Sequence, residues 1–182
     1  MQEKTWTFHH PTLDDGAKLH SLIMTSKPLD VNSSYFYLLM SRYFSQTCAV
    51  AKADRSLVGA VIGLQPPAEP DTLFIWQIAV HPQWRGCGLA SSMLKWLVDT
   101  TSGLKKLAAT VTPDNRASAA LFHSFANHFG SRLHVTQNFF STEHFGAQGH
   151  APESLYEIPL STTRRQPEHE RTITARTQPA AL

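Results

Sequence analysis

The sequence has 182 residues, of which 42% are hydrophobic and 16% are charged, and its formal net charge at pH 7 is +2. This composition indicates a globular chain with its own core and excludes wholesale disorder, and the scattered basic residues argue against nucleic acid as the main partner. Two cysteines, Cys48 and Cys87, exclude a disulfide scaffold, and no apolar run approaches the ~20 residues of a membrane span. We therefore expect a soluble, cytoplasmic protein that binds no metal, nucleic acid or membrane.

The first third of the chain predicts three strands and two helices. The alternating stretch TWTFHH is typical of a strand, and Thr12 with Asp15 forms a capping-box pattern before a helix that reaches about residue 26. TCAVAK and LVGAVIGL, separated by ADRS, predict a hairpin. A short aromatic helix precedes this hairpin, and its candidate caps are Asn32, Ser33 and Ser34.

The rest of the chain predicts four strands and two helices. After its first residue, TLFIWQIAV has one polar side chain, Gln77, and it predicts a strand covered on both faces. Leu89, Met93, Trp96 and Leu97 form a helical stripe, and LAATV predicts the next strand. A helix capped by Asp114 or Asn115 follows, and RLHVTQNF and SLYEIPL predict the last two strands. The predicted order is β-α-α-β-β-β-α-β-α-β-β in one domain, residues 1–160, with the polar residues 161–182 as a flexible tail.

A glycine-containing turn joins the strand TLFIWQIAV to the next helix. Here Arg85, Gly88 and Ala90 form an R-x-x-G-x-A pattern. The first amides of a helix have no internal acceptor, small residues let phosphate oxygens approach them, and an arginine adds a charged contact. The pattern therefore favours a phosphate site, with a tight strand-to-helix turn as the alternative. Its spacing differs from the dinucleotide and P-loop fingerprints.

The same turn carries a resemblance to a known family. IAVHPQWRGCGLASSML resembles the acetyl-CoA pyrophosphate motif of the GNAT family of N-acetyltransferases, and the predicted element order agrees with that fold. The resemblance implies an α/β (α+β) fold with a mixed, mostly antiparallel central sheet of about seven strands and helices on both faces. It also implies that PDNRASAALF places Asn115 on the cofactor arm. The residues implied to bind the diphosphate are Arg85, Gly86, Cys87, Gly88, Leu89 and Ala90.

Three stretches narrow the resemblance within that family. LDVNSSYFYLL, PPAEPDTLFIWQIAVHP and GHAPESLYEIPL together resemble the diaminobutyrate acetyltransferases of ectoine synthesis. That resemblance implies a homodimer that transfers acetyl from acetyl-CoA to the side-chain amine of L-2,4-diaminobutyrate, giving N4-acetyl-2,4-diaminobutyrate. The alternatives are an acetyltransferase for another small amine, such as a polyamine or an aminoglycoside, and a non-catalytic acyl-CoA-binding module.

Acetyl transfer to an amine requires donors for the thioester carbonyl, removal of a proton from the amine and alignment of both reactants. In the resembled fold the fourth strand supplies main-chain donors, which implies the amides of Ile78 and Val80. These two residues are also implied to contact the pantetheine arm, whereas a purely core role is the alternative for their side chains.

The narrower resemblance also implies the substrate contacts. A diamino acid needs a carboxylate for its α-ammonium, and Asp30 and Glu153 are the acidic residues of the family-specific stretches, with one of them as a base through a water. Their alternatives are a loop or capping role for Asp30 and a solvated position for Glu153. Trp76 is a candidate wall for the substrate chain, with a core role as the alternative. His150 is a candidate partner for a carboxylate, with a plain surface position as the alternative. Tyr35 is preferred over Tyr37 for the acceptor pocket, since two helical positions this far apart face different directions.

One position departs from the family pattern. Many relatives carry a tyrosine on the helix after the asparagine, where it protonates the leaving thiolate, but this sequence has Phe122 there. Either another hydroxyl, such as that of Tyr156, takes this role, or the thiolate leaves as an anion.

Overall fold

The computed structural model describes residues 4–26, 29–160 and 173–175. The elements follow the predicted order, with one further strand near the carboxyl end. The helices are α1 (Gly16–Met24), α2 (Ser34–Tyr43), α3 (Leu89–Thr100) and α4 (Arg116–His128). The strands are β1 (Lys4–His9), β2 (Ala49–Ala53), β3 (Ser56–Leu64), β4 (Thr72–Val80), β5 (Lys106–Val111), β6 (His134–Phe140), β7 (Glu153–Pro159) and β8 (Ile173–Ala175). None of the helices in these ranges has the length and apolar character needed to cross a membrane.

The chain forms two compact units, and the first consists of Met1–Gly63, Gln77–Thr101 and Gln166–Leu182. Its strands lie in the order β3-β2-β1-β8, and the register of each pair is antiparallel. The buried stripe of α3 is Leu89, Met93, Leu94, Leu97 and Val98, and the helix lies against β2. This packing fixes the amino end of α3, which carries the glycine-containing turn.

The second unit consists of Leu64–Trp76 and Ser102–Arg165, so β4 is divided between the two. Its strands lie in the order β6-β7-β5-β4. β5 and β7 pair antiparallel, as do β6 and β7, whereas β4 and β5 run parallel. The sheet is therefore mixed and mostly antiparallel, as the resemblance implied.

Local sequence signals explain where the helices begin. Thr12 and Asp15 form the predicted capping box, Ser33 caps α2 by accepting from the amide of Phe36, and Asn115 caps α4 by accepting from that of Ser118. Short polar side chains at these positions satisfy amides that have no acceptor inside the helix.

The predicted flexible tail falls largely outside the described residues. Within it, residues 173–175 form β8, which pairs antiparallel with β1. The polar composition of residues 161–182 did not predict this strand, because three residues carry too little pattern to show their pairing.

The buried carboxylate of Asp15 connects the residue before α1 to β2. Asp15 is 1% exposed, and its carboxylate lies 2.8 Å from Lys52 Nζ. The amide and the hydroxyl of Thr12 also donate to Asp15 Oδ2. Burial alone would raise the pKa of Asp15, but the hydrogen bonds and charge of Lys52 and Thr12 outweigh it and hold that pKa below its usual range.

We expect Asp15→Asn to lower the free energy of unfolding at pH 7 by about 3 kcal/mol, because it leaves Lys52 without its anion and weakens the cap. The folded-state pKa is depressed, so the carboxylate stabilises the fold fully above the unfolded-state value near 4. This stabilisation is lost as the pH falls through the folded-state pKa, so the difference between wild type and variant should shrink below about pH 4. Urea unfolding at pH 7 and at about pH 3.5 measures both values. Asp14→Asn, at the exposed neighbouring position, is the control, and an equal difference at both pH values would contradict the assignment.

Candidate active site

The turn between β4 and α3 has a backbone that requires glycine. Gly86 and Gly88 have φ of +75° and +80°, in the left-handed region that other residues rarely adopt. A Cβ placed on either glycine would meet no heavy atom within 4 Å. The glycines are therefore needed for the backbone path, and the space beside each is open to a ligand.

The amino end of α3 presents amides without intrahelical acceptors. Gly88 is the N-cap and offers no side chain, and the hydrogen bond from Ser92 N to Gly88 O, at 3.0 Å, is the first of the helix. The amides of Leu89, Ala90 and Ser91 come before this bond. With the positive end of the helix dipole, these amides are donors that an anion could accept from, and they belong to the turn for which the sequence predicts a phosphate site.

Arg85 is held beside this helix start. Its Nε donates to the carbonyl of Val80 at 3.1 Å, while the side chain as a whole is exposed. The remaining N–H groups of the guanidinium are available for a phosphate oxygen. The β4 strand therefore orients the charged donor.

Contacts of Cys87 and Trp84 stabilise the turn. Cys87 Sγ donates to the carbonyl of Trp84 at 2.9 Å, and the Trp84 ring meets that of Trp6 edge to face, with centroids 5.9 Å apart. The side chain of Cys87 thus stabilises the turn. The other cysteine, Cys48, is buried, and burial raises the pKa of its thiol to about 12, so this thiol is a poor nucleophile.

The amides of Ile78 and Val80 point away from β3. His81 N donates to Val58 O on β3 at 2.9 Å, so the carbonyl in the same peptide, that of Val80, points to the other edge, where Arg85 binds it. In a strand, the N–H and C=O of one residue share an edge, and residues two apart share it too. The parallel register with β5 covers Thr72–Ile75, and β4 continues beyond it to Val80.

A buried network connects the loop before α2 to β4. Tyr37 is fully buried and its hydroxyl donates to Gln77 Oε1 at 3.1 Å, while Gln77 Nε2 donates to the carbonyl of Asp30 at 2.6 Å. Asp30 itself is exposed, and Tyr35 is 66% exposed on α2. Tyr35 and Tyr37 therefore face different directions, as their spacing predicted. The sequence predicted no role for Gln77, although this side chain is a polar exception in an apolar strand, and it favoured Tyr35 over Tyr37 for the acceptor pocket.

Two further candidates lie together in the second unit. Glu153 begins β7, and its Oε1 is 3.8 Å from His150 Nε2. His150 Nδ1 is 2.7 Å from the carbonyl of Ala151, and its ring stacks on that of Phe145 with centroids 4.0 Å apart. The structure therefore brings the predicted histidine beside the predicted carboxylate.

The remaining candidates are also in the second unit. Asn115 uses its side-chain oxygen to cap α4, which leaves its NH₂ group as a donor. Trp76 is 50% exposed on β4. Phe122 is buried on α4, and its ring centroid lies 6.2 Å from that of Tyr156. Among the described residues, no group of three or more His, Cys, Asp or Glu side chains could hold a metal ion.

The fold and the glycine turn define a class of protein, and comparison with known proteins agrees with it. Residues 17–126 match the model of the acetyltransferase (GNAT) family, so the chain belongs to that family.

Relatives narrow the assignment within the family. The chain is 40% identical to the L-2,4-diaminobutyric acid acetyltransferase of Halalkalibacterium halodurans, over 86% of this chain and 82% of the relative. It is 42% identical to that of Vibrio parahaemolyticus, over 86% and 87%. The diaminobutyrate acetyltransferase of Paenibacillus lautus, solved with L-2,4-diaminobutyric acid and coenzyme A, superposes with a TM-score of 0.81 at 32% identity, over 86% of this chain and 95% of the other. Within the GNAT proteins, the chain belongs to the L-2,4-diaminobutyric acid acetyltransferases.

Proposed function

We propose that this protein transfers acetyl from acetyl-CoA to the side-chain amine of L-2,4-diaminobutyrate, giving N4-acetyl-2,4-diaminobutyrate for ectoine synthesis. The observation that carries the proposal is the open glycine turn at the start of α3, with acceptor-free amides and an oriented arginine, in a chain about 40% identical to enzymes of that name.

The turn and the end of β4 bind the co-substrate. The amides that follow Arg85, through Ala90, hold the diphosphate, and the guanidinium adds a charged hydrogen bond. The NH₂ group of Asn115 donates to the cofactor arm. Acetyl-CoA supplies the activated acetyl group as a thioester. The amides of Ile78 and Val80, which point away from β3, donate to the carbonyl oxygen as negative charge develops there.

The diamine is bound by side chains that discriminate its two amines. The carboxylate of Asp30 holds the α-ammonium in its charged state, and Trp76 and Tyr35 contact the carbon chain. Glu153 contacts the reacting end. The N4 amine then loses its proton to Glu153, whereas the negative charge of Asp30 keeps the α-ammonium protonated.

The geometry of His150 and Glu153 supports their role in taking that proton. A carbonyl oxygen only accepts, so His150 Nδ1 must carry the hydrogen that bonds to Ala151 O. In the neutral ring, Nε2 then presents a lone pair near the carboxylate of Glu153. Two acceptors that face each other are stabilised by a proton or an ammonium group between them. Glu153 is the base, directly or through a water, and His150 Nε2 accepts a hydrogen bond from the proton that Glu153 takes up.

We expect Tyr156→Phe to lower kcat by about 100-fold, the range for loss of a general acid, with little change in either KM. Phe122 occupies the position where many relatives carry tyrosine, and the ring of Tyr156, which has a hydroxyl, contacts the ring of Phe122. Steady-state kinetics measures the effect, and Phe122→Tyr in the Tyr156→Phe background should restore part of the rate. Unchanged kcat in Tyr156→Phe would mean that the thiolate leaves as an anion.

The proposed function is tested by thiol release from acetyl-CoA with L-2,4-diaminobutyrate, spermidine and an aminoglycoside, followed by NMR of the product. Turnover with diaminobutyrate and acetylation at N4 are expected. Acetylation at N2, or turnover with another amine alone, would overturn the proposal. Tight acetyl-CoA binding without turnover of any amine would instead favour a binding module.

We also propose that the protein acts as a cytoplasmic homodimer and that residues 1–160 work as one acetyltransferase domain. Two free cysteines support a reducing compartment, and the family match over 17–126 includes residues of both units. Light scattering after size exclusion tests the dimer, and a monomeric mass at assay concentration would contradict it.

A further inference from the structure

Two buried polar side chains, Gln77 and Tyr37, have no part in the proposed chemistry. Gln77 is 7% exposed, in a strand whose other inward residues, Leu73, Ile75 and Ala79, are apolar, and Tyr37 is fully buried. Burying an amide and a hydroxyl is unfavourable unless each is hydrogen-bonded. The hydrogen-bond partners of these two side chains therefore indicate their structural role.

Apart from each other, the partners of these two side chains lie in the loop before α2. Gln77 Nε2 donates to the Asp30 carbonyl at 2.6 Å, and the Asn32 amide donates to the Tyr37 hydroxyl at 3.4 Å. The Tyr37 hydroxyl in turn donates to Gln77 Oε1 at 3.1 Å. The acceptor and donor groups of Gln77 are thus both used. Gln77 on β4 is bonded to Asp30 of the loop, 47 positions earlier in the sequence, and to Tyr37 of α2, 40 positions earlier.

The position of Gln77 in β4 connects this hydrogen-bond network to the proposed substrate contacts. Gln77 lies directly between Trp76 and Ile78, one a proposed substrate contact and the other a proposed carbonyl donor. The loop that it binds carries Asp30, the proposed partner of the α-ammonium. A shift of this loop would move the ammonium contact relative to the carbonyl-binding amide, and such misplacement lowers the rate of a reaction between two bound groups.

We infer that Gln77, with Tyr37, is a positioning pair that sets the location of the Asp30 carboxylate relative to β4 and so determines how the diamine is bound. The inference rests on the proposed function for its kinetic consequence. The tether, meaning the hydrogen bonds of Gln77 and Tyr37 with residues 30 and 32 of the loop, is present in the folded chain and is measurable without turnover.

The experiment compares Gln77→Met, Tyr37→Phe and the double variant with wild type. In Gln77→Met we expect KM for diaminobutyrate to rise about tenfold, with the Kd of acetyl-CoA changed less than about twofold, because the lost bonds hold the loop and not the glycine turn. Amide hydrogen exchange of residues 29–33 should accelerate. Thr47→Val is the matched control: Thr47 is also buried in the first unit, and its hydroxyl donates to Gly63 O at 2.8 Å. It should lower Tm without changing KM or exchange in the loop.

The double variant separates positioning from stability. Replacing both partners by apolar groups of similar shape is nearly neutral for stability, so Tm should recover in Tyr37→Phe/Gln77→Met. The loop still lacks its tether, so KM for the diamine and exchange of residues 29–33 should stay raised. Recovery of KM together with Tm, or wild-type KM and exchange in Gln77→Met, would overturn the inference. Wild-type protein that does not turn over diaminobutyrate would overturn the proposed function alone, since the exchange measurement still decides the tether.

Discussion

Replacing Gly88 by glutamate should weaken acetyl-CoA binding at least ~30-fold, or about 2 kcal/mol, while the protein stays folded. The new carboxylate would start from a position with no neighbour within 4 Å, beside the acceptor-free amides of α3. Phosphate oxygens and a carboxylate repel each other there, and both compete for the same donors. Isothermal titration with acetyl-CoA at low and high salt measures the loss, which should shrink as salt screens the repulsion.

Two controls separate charge from backbone strain. Gly103→Glu adds the same charge at a glycine with φ of +74° and no neighbour within 4 Å, but in the second unit. It should lower Tm and leave acetyl-CoA affinity unchanged. Gly88→Ala adds strain without charge and should lose less affinity than Gly88→Glu. Wild-type affinity in Gly88→Glu would show that the diphosphate binds elsewhere.

Glu153→Gln should lower kcat by about 100-fold or more, because an amide cannot accept the proton that the amine must lose. The substitution keeps the shape of the side chain, so the start of β7 should be preserved. The Kd of acetyl-CoA should stay at its wild-type value. Steady-state kinetics with varied diaminobutyrate, together with calorimetry for acetyl-CoA, measures these quantities.

Glu157→Gln is the matched control for this substitution, since Glu157 lies on the same strand and has a different partner. Its carboxylate accepts a hydrogen bond from Lys106 Nζ at 2.7 Å, and this bond and the one that Lys106 donates to Glu69 raise the pKa of Lys106. Glu157→Gln should lower Tm slightly and leave kcat near wild type. A raised KM with wild-type kcat in Glu153→Gln would mean that Glu153 binds the diamine and another group takes the proton.

The order of elements and the position of the glycine turn were predictable because their causes are local. The Thr12–Asp15 capping box and the helical stripe of α3 are set by residues three or four apart, and the turn needs glycine for its own backbone path. By the same reasoning, the sequence could offer three residues as the cap of α2 but could not choose Ser33 among them.

The partners of the site side chains were decided only by tertiary structure. Gln77 was visible as a polar exception in an apolar strand, yet nothing near it in the sequence indicates Asp30 or Tyr37 as its partners. The contact of Arg85 with the Val80 carbonyl depends on which edge of β4 is paired with β3. Hydrogen bonds act over about 3 Å, so they form only between residues that the fold brings together. The sequence by itself therefore determines the helices, the strands and the glycine turn, but not the hydrogen bonds between residues distant in the sequence.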